Sequence, residues 1–255
     1  MREKQTGKLL ADYHLETFLQ CPYKFYHRFV TGKKLSEYSW RQVVQNSVNL
    51  IVHQYYSLPH GARSKIAVLR LIQQYWDQIP LHLFQDKAHY YTTLAKITDH
   101  LLQALANREI ESSPLFLYDQ FQTSIEEINV SIKFEVGNWS DRSFTVTKYL
   151  LDADDSMVKL YTYLTILFSN SAFGVLPEKV EIITLLDGTL FQYNPEENDV
   201  QLAKAYFNEL KENIRKPKEY TNIVSSQNCS QCVFEDDCNF KNELRDEKKN
   251  SGYLH

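Results

Sequence analysis

Four cysteines limit what this 255-residue chain can fold into more than any other feature. Cys229-Ser-Gln-Cys232 is a CxxC, and Cys238 follows after five intervening residues. A CxxC puts two thiolates on one tight loop within reach of one metal centre, and a third nearby makes the loop a three-point chelate. Thiolate sites commonly take four ligands, and the one cysteine left is Cys21, at the other end of the chain. A shared site would join the two ends and close a very long loop. Zinc and a [4Fe–4S] cluster both accept four thiolates, and spacing does not separate them. The trio could also bind zinc with His27 as fourth ligand, leaving Cys21 a core thiol.

Disulfides are the other use of cysteine, and the N-terminus argues against them. Met1-Arg-Glu-Lys-Gln-Thr-Gly-Lys8 is charged and is followed by no apolar run, so it does not read as a signal peptide. No stretch reaches the roughly 18 apolar residues that span a bilayer. The expected location is the cytoplasm, where thiols stay reduced, with no membrane partner. The formal net charge of −4 excludes a uniformly basic nucleic-acid binder and leaves only a local patch. Seven Gly and seven Pro are too few for a many-turned all-β protein.

Hydrophobic periodicity orders the chain. Residues 12–31 predict a helix with Asp12 as N-cap, kinked at Pro22. Further helices are predicted over 39–57, 63–78 and 86–110. The period then becomes two: strands are expected at Leu115–Phe121, Ile128–Val136 and Phe144–Leu151. In the second, Ile128, Val130, Ile132, Phe134 and Val136 alternate with Asn, Ser, Lys and Glu. Gly137-Asn138-Trp139-Ser140-Asp141 reads as the turn of a hairpin. A helix over 154–169, strands Val180–Leu186 and Leu190–Tyr193 around Asp187-Gly188, and a helix over 196–215 complete the pattern. The result is an α/β protein with a helical N-terminal half, a sheet flanked by helices and a C-terminal metal loop. One domain is expected over 1–240, with a helical insertion at about 60–112 and a charged, flexible tail at 241–255.

The segment Leu15-Glu-Thr-Phe-Leu-Gln-Cys21-Pro-Tyr-Lys-Phe-Tyr-His27, together with Cys229-x2-Cys232-x5-Cys238, resembles the iron–sulfur branch of the PD-(D/E)XK nuclease superfamily. The likeness is to the nuclease domain of AddB-type helicase–nuclease subunits and, less directly, to CRISPR-associated iron–sulfur exonucleases. It implies a nuclease-like mixed sheet flanked by helices and a [4Fe–4S] cluster on Cys21, Cys229, Cys232 and Cys238. It also implies hairpin carboxylates that bind Mg²⁺ or Mn²⁺, followed by a Lys that assists the attacking water. In the matching places this chain has Phe134, Thr147 and Tyr149. Phe and Thr cannot serve a hard cation in this role. The helix motif Gln-x3-Tyr keeps only its Tyr, Tyr163, and Asn49-Leu-Ile-Val-His53 matches the upstream Gly-x3-His.

The resemblance therefore implies a catalytically degenerate nuclease fold acting as a DNA-binding or scaffolding component in DNA processing or repair, alongside a helicase or other DNA-processing protein. One alternative is an active metal-dependent exonuclease with displaced ligands, and only that reading calls for Mg²⁺ or Mn²⁺. His53, Asp141 and Asp152 are its candidate catalytic residues, with Asp154 and Asp155 alongside. A second alternative is a protein-interaction module that does not bind DNA. Candidate nucleic-acid contacts are Lys148, Lys159 and Tyr163, with Lys24 and Arg28 in a basic strip beside Cys21. Glu235-Asp236-Asp237, inside the cysteine loop, opposes that strip.

Overall fold

The computed structural model describes residues 9–33, 38–106, 113–216 and residue 234. Cys229, Cys232, Cys238, Lys34, the Glu235–Asp237 run and the 241–255 tail all lie outside the described residues. The chain divides into two compact units, Met1–Asp12 with Ser39–Phe207, and Tyr13–Tyr38 with Asn208–His255.

The larger unit begins with β1 (Leu10–Ala11), which runs into α1 (Asp12–Gln20). It continues with α3 (Trp40–Ser57), following the short α2 (Pro22–Phe25), then α4 (Lys65–Trp76) and α5 (Lys87–Ala106). Each of the first two starts on a serine cap: Ser39 and Gln42 form a reciprocal capping box, and Ser64 Oγ accepts the Ala67 amide. The sheet follows as β2 (Phe116–Ile125), β3 (Ile128–Trp139), β4 (Phe144–Leu150), β5 (Lys179–Thr184) and β6 (Leu190–Tyr193). Between β4 and β5 runs α6 (Asp155–Phe173), capped by Asp154 and ended by Gly174 at φ +68°. After β6 comes α7 (Asp199–Ile214). No helix among the described residues is long and apolar enough to cross a membrane.

The six-stranded sheet is mixed. β1–β3 and β4–β5 are parallel; β2–β3, β3–β4 and β5–β6 are antiparallel. The β2–β3 hairpin turns on Glu126 and Glu127, both at positive φ (46° and 66°). That geometry favours Asn-Gly, so composition gave no signal for it. β3 also runs past the expected turn residues Gly137–Trp139, and the chain reverses at 140–143.

Both sheet faces are covered. One carries a core of Trp40, Val44, Ile51, Tyr55, Trp76, Ile97 and Leu101 from α3–α5, with Val136, Tyr149 and Ile183 from the sheet. The other carries phenylalanines: Phe134 meets Phe116, Phe121, Phe168 and Phe173 at centroid distances of 5.5–6.0 Å. Of the polar residues that alternate along β3, Ser131 is 0% and Glu135 4% exposed. Asn129 and Lys133, in the same alternating run, are exposed. Ser131 Oγ accepts a 2.8 Å bond from Gln120 Nε2.

The smaller unit holds the rest of α1, α2 and a π-helical turn, Tyr26–Val30. The expected single helix over 12–31 breaks at Pro22, and Cys21 becomes the extended N-cap residue of α2. Phe18, Phe25, Phe29, His14 and Tyr13 form a chain of ring contacts along it.

Gly188, in the β5–β6 turn, tests this packing. Its φ is +74°, and a Cβ there would stand 2.5 Å from His100 Nε2. The ring cannot retreat freely, because His100 Nδ1 is 2.8 Å from the Leu185 carbonyl. Gly188→Ala is expected to cost about 2 kcal/mol in denaturant unfolding from strain and overpacking. Pairing it with His100→Ala should recover about 1 kcal/mol of that in a double-mutant cycle, the steric share.

Candidate functional site at the strand fork

β3 and β4 run as a ladder only from Trp139↔Phe144 to Val136↔Thr147. On the same edge of β3, β1 takes over at Ser131 and Val130. The stretch between them, residues 132–135, has no strand partner on that edge. Backbone groups on the two strands facing this gap still require partners, and two carboxylates each supply one. Asp12 Oδ2 accepts the Lys133 amide at 3.1 Å, and Glu135 Oε2 accepts the Tyr149 amide at 2.7 Å.

The other Glu135 oxygen, Oε1, is 2.9 Å from Lys148 Nζ. The pair is enclosed, with side chains 5% and 14% exposed. Lys148 Nζ also lies 4.2 Å from the centroid of the Tyr161 ring of α6, a cation–π contact. Both Glu135 oxygens are thus engaged, one by a backbone amide and one by an ammonium.

Tyrosines surround this pair. Tyr149, fully buried, has its hydroxyl 3.3 Å from that of Tyr56. The Tyr118 hydroxyl is sealed from solvent and has no hydrogen-bond partner among the described residues. Tyr118 is at φ +57°, a strained conformation for a non-glycine residue. Burial, and then the Glu135 charge and Tyr56, hold its phenol far above the usual range.

A second carboxylate lies on the neighbouring strand. Glu181 is paired in register with Thr147, whose hydroxyl is 3.2 Å from Glu181 Oε2. Lys179 Nζ is 3.1 Å from Glu181 Oε1. Glu135 and Glu181 therefore each carry a lysine. Among the described residues no group of three or more His, Cys, Asp or Glu side chains is arranged to hold a metal ion.

The positions marked in the sequence fall as follows. Phe134 is 1% exposed in the phenylalanine layer, and Thr147 and Tyr149 are buried. Thr147 is opposite Val136 in the β3–β4 ladder. His53, on α3, has its ring 5.7 Å from Tyr118. Asp141 is exposed in the β3–β4 turn, and Asp152 is exposed and ion-paired with Arg41 at 2.5 Å. Lys159, exposed on α6, places Nζ 5.7 Å from the Tyr163 ring and 5.0 Å from that of Tyr206. Lys24 is on α2, and the Arg28 guanidinium lies over Phe29.

In the smaller unit Cys21 Sγ accepts the Lys24 amide at 3.4 Å. Phe234, between Cys232 and Cys238, is 4% exposed and stacks on His27 at 5.5 Å with 26° between the rings. Glu135 and Glu181 were passed over in the sequence. Glu135 was one of the polar residues in an alternating strand, and nothing local marked it as buried.

No family model matches this chain, and no curated protein matches it. A solved structure from Eubacterium rectale, described as a "putative exonuclease", is similar over 88% of both chains, with a TM-score of 0.52 and 8% identity. That likeness is one of fold. The structure of SSO0001 aligns over 89% of this chain and 95% of its own, with a TM-score of 0.33 and 11% identity.

Two outcomes follow from the fork. Lys148→Met leaves Glu135 buried without its cation and is expected to cost about 3–5 kcal/mol, while Glu135→Gln with Lys148→Met recovers most of it; chemical denaturation of both variants checks this. Because Tyr118 titrates higher folded than unfolded, its contribution is intact below pH 10 and falls as pH rises beyond it, by about 1.4 kcal/mol per pH unit. Tyr118→Phe should flatten that alkaline limb in a series of unfolding curves.

Proposed function

We propose that this chain is a nuclease-fold iron–sulfur protein that binds DNA without cutting it and serves as a scaffolding component in DNA processing. The observation that carries the reading is the commitment of Glu135 to the Tyr149 amide and the Lys148 ammonium. A divalent ion at the fork would have to displace Lys148 and break a backbone bond, with Phe134 and Thr147 supplying no charged oxygen. The fold likeness to a protein described as an exonuclease supports placing the chain among nuclease-like folds.

The cofactor reading rests on Cys21, Cys229, Cys232 and Cys238 as ligands. Two observations fit it. Cys21 Sγ already accepts a backbone N–H, the kind of bond that tunes cluster sulfurs. Phe234, which lies between Cys232 and Cys238 in the sequence, stacks on His27, six residues beyond Cys21. When bound, such a cluster supplies iron–thiolate bonds that tie the chain ends together. Lys159, with Tyr163 and Tyr206 beside it, is the exposed basic and aromatic surface that fits nucleic acid. This surface, a DNA partner and a helicase-type partner belong to the proposal.

Purified full-length chain tests it. It should be brown, contain iron and sulfide, and leave single-stranded DNA intact with Mn²⁺ or Mg²⁺. Binding of single-stranded DNA should weaken with salt, and Lys159→Ala with Tyr163→Ala should weaken it about tenfold further. Cleavage abolished by Asp141→Asn or Asp152→Asn would restore the enzyme reading. Absence of binding at low salt would leave a protein-interaction module, and a colourless zinc protein would remove the cluster.

A further inference from the structure

β2 (Phe116–Ile125) stands at an edge of the sheet. It pairs with β3 along one side, and among the described residues no strand pairs with the other. A row of unpaired backbone N–H and C=O groups is a template for another chain, and folded proteins blunt it with Lys, Pro, a bulge or a short strand. In β2 the blunting is confined to the start. Tyr118 is at φ +57°, and the Leu117 amide donates to Asp119 Oδ2 at 3.0 Å. From Asp119 to Ile125 the ladder with β3 is regular, and the sequence has no Lys, Pro or Gly. At about 3.3 Å per residue this open edge runs roughly 23 Å. Asp119, Gln120, Gln122 and Ser124 are exposed, while Phe121 reaches into the phenylalanine layer. The opposite edge of the sheet, β6, ends at Tyr193, two residues before Pro195.

We propose that the outer edge of β2 takes an extended segment of another protein as an added strand, one that is uncharged along its middle and carries Lys or Arg at its ends. A row of backbone groups is matched by a polypeptide strand, whose main-chain hydrogen bonds give the affinity. Charge then selects the segment. From Leu115 to Val130 the sequence contains Asp119, Glu126 and Glu127 and no Lys or Arg, so acids bound the open edge at both ends. The lysines stand behind it: Lys133 is opposite Gln120 on β3, and Lys204 of α7 has Nζ 3.7 Å from Glu126. Glu127 is exposed. The same acids disfavour a second copy of the chain. Antiparallel self-pairing over 119–126 sets Asp119 against Glu126, and like charges directly opposite are destabilising. A strand with basic ends meets unlike charge at both. The surface depends on neither the nuclease reading nor the cluster.

The test adds a labelled synthetic peptide, Lys-Lys-Thr-Val-Thr-Val-Thr-Lys-Lys, to the full-length chain and follows its fluorescence anisotropy. The peptide should bind, and in hydrogen exchange it should protect amides of residues 119–125 while leaving the β4–β5 ladder unchanged. The same peptide with Glu in place of every Lys, or with Pro-Pro at its centre, should not bind. Gln122→Lys with Ser124→Lys, two exposed positions, should weaken binding about tenfold without moving the unfolding midpoint. Glu127→Gln should weaken it about two- to threefold and lessen its salt dependence. Absence of binding, binding without protection at 119–125, or binding that the double lysine variant leaves intact would overturn the proposal. So would dimerisation that protects the same amides, which would make the occupant a second copy of the chain.

Discussion

A sheet edge cannot leave peptide groups unpaired in a dry interior, and the two central strands of this protein part company in such an interior. β4 leaves β3 after Val136, and β1 joins it only at Ser131. A missing buried hydrogen bond costs about 1–3 kcal/mol per group. The gap is closed by side chains: Asp12 takes the Lys133 amide and Glu135 the Tyr149 amide. Glu135 then needs a counter-charge because of its burial, and Lys148 supplies it from the adjacent strand. The Lys148 ammonium is in turn covered by the Tyr161 face. One backbone discontinuity thus dictates a carboxylate, a lysine and an aromatic ring.

The same discontinuity explains how β3 serves two cores. Phe134 enters the phenylalanine layer against α6, while Val136, two residues on, enters the α3–α5 core. A regular strand would send both to one face. Between them, Glu135 accepts the Tyr149 amide of β4. Much of the chain's load of 14 Phe and 17 Tyr fills these two layers and the ring chain of the smaller unit.

Long periodic segments were legible in the sequence. The apolar spacing of 39–57 and 86–110, the alternation of 128–136 and the turn at Asp187-Gly188 each mark an element that forms. What escaped the sequence depends on tertiary surroundings. Alternation in β3 reads as one buried face, yet Ser131 and Glu135 are as buried as their apolar neighbours, while Asn129 and Lys133 are exposed. The two-residue β1 is too short for any period, and Glu126-Glu127 takes a turn geometry that its composition does not advertise. At the site, the positions of Phe134, Thr147 and Tyr149 could be marked from the resemblance. The burial of Glu135 with Lys148 could not, since a cross-strand ion pair leaves no trace in local spacing. The cysteine pattern was the most specific signal, and of its four residues Cys21 lies within the described structure.

The Glu135–Lys148 pair also bears on why a polar centre persists in a fold that no longer uses it for metal chemistry, on the reading proposed above. A buried ion pair is often no more stabilising than apolar residues of the same volume. Here an apolar residue at 135 would leave the Tyr149 amide without an acceptor, because β3 has already turned away. The carboxylate is therefore held by the backbone's requirement, and the lysine by the carboxylate's. Phe134 is under no such constraint: its side chain bonds to nothing at the fork and fills the layer against Phe168 and Phe173. Acidic ligands whose only task was a cation can give way to packing residues, whereas an acid that also satisfies a peptide group cannot. Asp12 and Glu135, the two carboxylates at the fork, each satisfy a peptide group in this way.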